Sequence, residues 1–168
     1  WGLLYWTGTA EQLVDYMDAN WDENTSDCQS TSGFAFYLGS AAIAWSRKKQ
    51  PTIKLSSTKA EYRGETTTTC EAIWLKRLLK DLHVEVSDPT AIYCDNLSSI
   101  QLAKNPVFHA WTKHIEVHYH FVCEHVRSGE VELSYVPTDR QDTDIFTKPL
   151  GLDKLRQFSG ALGLWHLD

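Results

Sequence analysis

Four acidic residues are spaced so that a fold could bring them together: Asp18, Glu61, Asp95 and Asp144. Asp18 follows residues 12–17, an apolar-leaning run that reads as a first strand, and Asp95 follows residues 91–94, a short buried strand. Glu61 comes three residues after Thr58, in capping-box register in the first turn of a helix. Asp144 falls in a helix expected over residues 139–146. In an α/β sheet with a switch in strand order, the ends of adjacent strands open into one crevice where ligands bind. Carboxylates there offer hard oxygen ligands suited to Mg²⁺ or Mn²⁺, and two such ions about 4 Å apart can activate water and stabilise a leaving oxygen. Each acid taken singly also suits a cap or a turn, so position alone leaves both roles open.

Positioning these acids falls to a short succession of elements. After the first strand, residues 22–32 are polar and turn-like. Residues 33–38 and 41–45 are aromatic-rich runs separated by Gly39-Ser40, a hairpin signal that completes a three-strand antiparallel meander. Arg47-Lys48-Lys49-Gln50-Pro51 reads as a basic loop ended by proline. Ser56, Ser57 and Thr58 then offer N-cap hydroxyls to a long helix whose apolar positions recur at Ala72, Ile73, Leu75, Leu78, Leu79 and Leu82. Thr66 to Thr69 lie inside that helix although β-branching disfavours them there. Helices are expected over residues 98–104, 111–127 and 152–162, with Ile115, Val117, Phe121, Val122 and Val126 as the apolar positions of the second. Residues 131–136 alternate and stop at Pro137, as a last strand should. The order β-β-β-α-β-α-α-β-α contains no internal repeat.

The bulk properties narrow the class. At 168 residues, with 42% hydrophobic and 23% charged residues, the chain fits one ordinary globular domain. No apolar run approaches the length of a membrane span, so no membrane partner is expected. The opening Trp1-Gly2-Leu3-Leu4 has no basic n-region and no Met, and reads as an internal part of something longer. Cys28, Cys70, Cys94 and Cys123 are scattered without a C-x-x-C pair, which points to reduced thiols and an intracellular setting, cytoplasmic or nuclear. A net charge of −6 sits awkwardly with phosphate binding, yet a carboxylate-rich cation site would contribute to it.

Around the acids, the runs Tyr16-Met17-Asp18-Ala19-Asn20-Trp21, Ser30-Thr31-Ser32-Gly33-Phe34 and Trp45-Ser46-Arg47-Lys48-Lys49-Gln50-Pro51 resemble the ribonuclease H domain of copia-type LTR-retrotransposon Pol polyproteins. So do Leu55-Ser56-Ser57-Thr58-Lys59-Ala60-Glu61-Tyr62, Ile92-Tyr93-Cys94-Asp95-Asn96, Lys104-Asn105-Pro106-Val107-Phe108-His109 and Thr112-Lys113-His114-Ile115-Glu116. Tyr135-Val136-Pro137-Thr138 and Asp144-Ile145-Phe146-Thr147-Lys148-Pro149-Leu150 complete the pattern, which covers nearly the whole chain. The resemblance implies a ribonuclease H-like α/β fold: a five-stranded mixed sheet, three antiparallel then two parallel strands, flanked by helices. It implies hydrolysis of the RNA strand of RNA–DNA hybrids with two Mg²⁺ or Mn²⁺ ions, held by Asp18, Glu61, Asp95 and Asp144. It also implies that residues 1–12 are the tail of a preceding reverse transcriptase connection and residues 13–168 the ribonuclease H domain.

Other residues have weaker signals. Arg47, Lys48, Lys49, Asn96, Lys113 and His114 are candidates for touching the hybrid, with Lys54 and Lys104 able to join them, and phosphate contacts of this kind position a duplex without reading its sequence. His114 and His118 stand at i, i+4, but Ile115 occupies the place where a zincin helix needs Glu. Trp6, Trp21, Trp45 and Trp74 read as core or hairpin packing. The family usually shows Asp at Asn20, Glu at Lys59, Arg near Cys28, Gln29, Trp111, Cys123 and His125, and small alanine-rich residues at Thr66 to Thr69. These departures are each reachable by a G·C to A·T transition, as cytosine deamination of a silenced element would produce. They keep open an alternative: a catalytically impaired ribonuclease H-like module from a decayed or domesticated element, acting in binding or regulation.

Overall fold

The computed structural model describes residues 1–9, 12–20, 29–53, 57–105 and 113–166, with the backbone alone described at residues 20, 29, 50–53, 57–59 and 113–116. A short strand β1 (Gly2–Leu3) precedes β2 (Leu13–Asn20), β3 (Gln29–Leu38) and β4 (Ala41–Ile53). The long helix α1 (Ser57–Asp81), strand β5 (Thr90–Cys94) and helices α2 (Leu97–Lys104) and α3 (Lys113–Arg127) follow. Strand β6 (Val131–Tyr135), a 3₁₀ turn at Thr138–Arg140, helices α4 (Asp144–Thr147) and α5 (Leu152–Ala161) and strand β7 (Leu164–Trp165) end the chain.

The central sheet has the order β4-β3-β2-β5-β6. Its first three strands run antiparallel, and β2, β5 and β6 run parallel. Gly39 supplies the positive φ, 70°, of the turn between β3 and β4. Alternation along the strands divides the core in two. Leu13 and Met17 of β2 point with Phe36, Ile92 and Leu133 toward Ala72, Leu75 and Leu79 of α1. Val14 and Tyr16 join Ala35 and Tyr37 on the opposite face, against Ile145, Phe146 and Leu162. A smaller cluster of Tyr62, Tyr119 and Cys123 seals α1 against α3.

Several expectations require correction. Residues 29–32 are strand rather than turn, because Thr31 and Ser32 pair with β2 on one side and β4 on the other and Gln29 pairs with β4, while residues 22–28 lie outside the described residues. The basic loop at residues 47–51 is also strand: Arg47, Lys48 and Lys49 pair with Gly33, Ser32 and Thr31. β4 is an edge strand, where proline is tolerated because one side of the ladder is unused. Helix α1 begins at Ser57, so Thr58 is already inside the helix rather than at its N-cap position, and Glu61 falls in the second turn. Ser56 lies outside the described residues, as do residues 111–112 of the helix expected from 111. The helix expected over 139–146 is split into the 3₁₀ turn and the four-residue α4.

Tryptophan placement is corrected too. Trp6, Trp45 and Trp74 are 61%, 55% and 55% exposed, on the segment after β1, the edge strand and the solvent side of α1, while Trp21 lies outside the described residues. Val117, Leu78 and Leu82 are likewise exposed. The pairing of β1 with β7, Gly2 opposite Trp165 and Leu3 opposite Leu164, was not foreseen from the sequence. Among the described residues no helix is long and apolar enough to cross a membrane.

Candidate metal centre

The site lies where the two central parallel strands part. Pairing of β2 with β5 runs from Val14 opposite Ala91 to Tyr16 opposite Tyr93, and carrying that register two residues on sets Asp18 beside Asp95. Both acids fall by alternation on the face of Tyr16 and Tyr93, whose rings stack 5.0 Å apart. Beyond the last strand pair, the fully buried Gln141 takes over from the ladder. Its Nε2 donates to the Met17 carbonyl at 2.8 Å and approaches that of Tyr93 at 3.5 Å. Its Oε1 accepts from Thr143 Oγ1 at 2.9 Å, which fixes the approach to α4. An unpaired buried amide would be costly, so this fully used one holds the strand ends at a set separation.

Helix α4 reaches the acids because Gly33 lets it. Gly33 pairs with Asp18 across β2 and β3, and a Cβ added there would stand 2.9 Å from Phe146 Cβ and 3.2 Å from Thr147 Cγ2. Seated on that glycine, Thr147 donates to Asp18 Oδ2, and Lys148 follows α4 into the cluster. The Lys148 ammonium lies 2.7 Å from Asp144 Oδ1, 3.5 Å from Asp18 Oδ2 and 3.9 Å from Asp95 Oδ2. Asp95 also accepts from Thr138 Oγ1 at 3.0 Å.

Glu61 arrives from the other side of the sheet, on α1. Oxygen atoms of Asp18, Glu61 and Asp95 all lie within 4.8 Å of one another. The Glu61 carboxylate is approached by the Cys94 thiol, a weak donor at 3.8 Å. Burial, then the charges of Asp18 and Asp95, hold the Glu61 carboxyl well above the usual carboxylate range. Burial also pushes Asp18 up to about 6, against the opposing pull of Lys148 and Thr147. Asp144 is raised by burial as well, in spite of its bond to Lys148. Burial pulls the Lys148 ammonium down, yet the surrounding carboxylates outweigh it and the net shift is upward. Convergent buried carboxylates that repel one another and offer only oxygen suit a hard divalent cation, which would remove that repulsion.

Three of the four expected acids thus form one tight group, and Asp144 is joined to it through Lys148. Arg47, Lys48 and Lys49 are exposed on β4, with Arg47 opposite Gly33 and so in one row with Asp18, about 10 Å away across two strand spacings. Asn96 serves as the N-cap of α2, its Oδ1 accepting from the amides of Ser98 and Ser99 at 3.0 and 3.2 Å. Lys113 and His114 open α3, and their side chains, like the residues around Lys54, lie outside the described residues. Sequence reasoning missed Lys148, Thr147, Thr138 and Gln141. The i, i+4 spacing of Asp144 and Lys148 was a legible signal for the first; the other three act through contacts between distant segments.

No protein-family model matches the chain. It is 41% identical over 163 residues to the retrovirus-related Pol polyprotein from transposon RE2 of Arabidopsis thaliana, covering 97% of this chain and 11% of that protein. It is 34% identical over 161 residues to the corresponding polyprotein from transposon TNT 1-94 of Nicotiana tabacum, covering 96% of this chain and 12% of that protein. The chain therefore spans about a tenth of the length of these relatives. Among solved structures it resembles LC11-RNase H1 isolated from compost, with a TM-score of 0.62 and 10% identity, covering 82% of this chain and 93% of that one. The same enzyme in complex with an RNA/DNA hybrid aligns with a TM-score of 0.55 over 86% of this chain and 99% of that one, at 12% identity.

Proposed function

From a chain that belongs with the Pol polyproteins of plant transposons and has the ribonuclease H fold, we propose a metal-dependent endonuclease that hydrolyses the RNA strand of RNA–DNA hybrids during reverse transcription. The observation that carries this reading is the convergence of Asp18, Glu61 and Asp95 within 4.8 Å at the parting of β2 and β5. Two Mg²⁺ or Mn²⁺ ions, when bound, would supply an activated water and neutralise charge on the leaving oxygen. Asp18 and Asp95 would hold the cations from adjacent strands. Glu61 would accept a hydrogen bond from the attacking water and orient it. Asp144 would supply a further carboxylate to a second cation.

Arg47, in the same row as Asp18, and the neighbouring Lys48 and Lys49 hold the hybrid's phosphates, with Lys113 and His114 contributing from α3. Asn96 keeps α2 capped while its backbone lines the strand end. The hybrid-bound state of LC11-RNase H1 supports this class of substrate at the level of a shared fold. In this reading residues 1–12 form the tail of a preceding reverse transcriptase and residues 13–168 the nuclease, and the pairing of β1 with β7 would dock the one onto the other.

The test is cleavage of a labelled RNA–DNA hybrid in Mg²⁺ and in Mn²⁺, beside Asp95→Asn. Cutting confined to the RNA strand is expected, falling about 100-fold or more in the variant, as loss of several kcal/mol of charge stabilisation requires. Folded protein that binds the hybrid and cuts it in neither metal would sink the enzyme reading. It would support the second one, a catalytically impaired module acting in binding. Asp15 and Glu65, acids fully buried beneath α1 and raised by that burial, favour the second reading, since they weaken the fold without serving the site.

A further inference from the structure

The carboxylate cluster has two lobes that share Asp18 and Asp95. Glu61 completes the first, with all three acids close enough to hold one cation. Asp144 completes the second, and there the Lys148 ammonium already sits, within ion-pair distance of Asp144, Asp18 and Asp95 at 2.7, 3.5 and 3.9 Å. Glu61 makes no such pair with it among the described residues. The lysine side chain is 27% exposed, whereas those of Asp18 and Asp144 are 3% and 2%. The ammonium thus sits among acids on a side chain that is itself partly open to solvent, the arrangement of a tethered cation that can enter and leave.

We infer that Lys148 is the built-in occupant of the second cation position, and that a second divalent ion binds only by displacing its ammonium. A unit charge and a divalent ion cannot share a space a few ångströms across, because like charges so placed in a poorly solvated pocket repel strongly. The lysine arrives on the same short helix as Asp144, one turn further on, so whatever brings Asp144 to the cluster brings its competitor too. Lys148 is thus a positioning residue. It keeps the second lobe neutralised and assembled before metal arrives, and it makes the second ion bind more weakly than the first. This inference rests on the two-cation reading given above.

Calorimetric titration of the 168-residue chain with MnCl₂, without nucleic acid, tests it directly. The wild-type chain should bind one ion well and a second poorly. Lys148→Gln, which keeps a donor for Asp144 but no charge, should bind the second ion on the order of tenfold more tightly, the size expected when a competing interaction is removed. Lys148→Arg, which keeps the cation, should behave as the wild type. Thermal melting supplies an independent measure: Lys148→Gln should melt lower than wild type in EDTA and gain more from MnCl₂. Should Lys148→Gln prove too unstable to titrate, Lys148→Met carries the same expectation. Unchanged stoichiometry and an unchanged Mn²⁺-induced rise in Tm in the neutral variants would overturn the inference while leaving the nuclease reading intact. Two equally tight sites in the wild type would overturn it as well. Failure of the wild type to bind any ion would remove both.

Discussion

On the face of the sheet that carries α4, buried acids have partners: Asp18 has Thr147 and Lys148, Asp144 has Lys148, and Asp95 at the rim has Thr138. On the face beneath α1, Asp15 and Glu65 are fully buried, and among the described residues no well-formed hydrogen bond reaches their oxygens; the Ala35 backbone near Asp15 and the Ser99 hydroxyl near Glu65 offset burial only in part. Ser99, the polar group nearest to helping Glu65, already donates to the Asn96 carbonyl at 2.9 Å. Burial raises the carboxyls of Asp15, Asp18, Glu65 and Asp144, but of these Asp18 belongs to the group of oxygens placed to hold a cation that could lower it again. An acid buried with its counter-charges is site machinery, whereas one buried without them is kept neutral and weakens the fold whenever it must ionise.

The contrast can be broken most severely at Gly33. Gly33→Ala would press a methyl into Phe146 and Thr147 and lift α4 off the sheet. We expect about 100-fold loss of hybrid cleavage from misplaced groups, with only about 1–3 kcal/mol lost in denaturant unfolding. Equal losses of activity and fold would show that α4 is structural first.

Glu65 sharpens the contrast. Its carboxyl is raised by burial from the ordinary 4.5 to about 7. Between those values the folded chain keeps a proton that the unfolded chain has released, so stability falls as pH rises from about 4.5 to 7 and stays low above it. The loss from this group is on the order of 3 kcal/mol. Glu65→Gln should remove that part of the pH dependence and stabilise the protein at pH 8, as read from urea unfolding across pH. Adding Mg²⁺ should flatten the share due to Asp18 and Glu61 and leave the Glu65 share in place. If Glu65→Gln leaves the pH profile unchanged, its carboxyl is partnered in solution.

A smaller effect belongs to the threonines. Thr67 is exposed on α1, its hydroxyl donating to the Arg63 carbonyl one turn back. Thr67→Ala should add about 0.5 kcal/mol by helix propensity, visible as a small rise in Tm without change in metal binding.

What the sequence showed and hid follows physical lines. The sheet strands around Asp18 and Asp95 were legible because short apolar runs end there in acids, and Glu61 because a long apolar periodicity follows it. The extension of β4 through residues 46–53 was hidden, since its pairing partner, β3, decides it and basic residues with a proline read locally as loop. Strands of two residues, such as β1 and β7, are too short for any period to appear. α4 is one turn long, and its place is set by a missing side chain on β3 rather than by anything in its own residues. Gln141 belongs to the same class: nothing local marks a glutamine that will bridge two strands 124 and 48 positions away.

β4 gives the molecule one more property. It ends the sheet along 13 residues; near its start Ala42 donates to the Leu162 carbonyl and accepts from the Tyr5 hydroxyl, and among the described residues no strand lies beyond the rest of it. An uncovered stretch of edge invites a second molecule to add its own strand. Arg47, Lys48 and Lys49 make that union unfavourable by setting like charge against like, and Pro51 removes a donor any newcomer would need. The basic stretch proposed above to meet phosphate also opposes self-association, since like charges on neighbouring copies would face one another across any new strand pair.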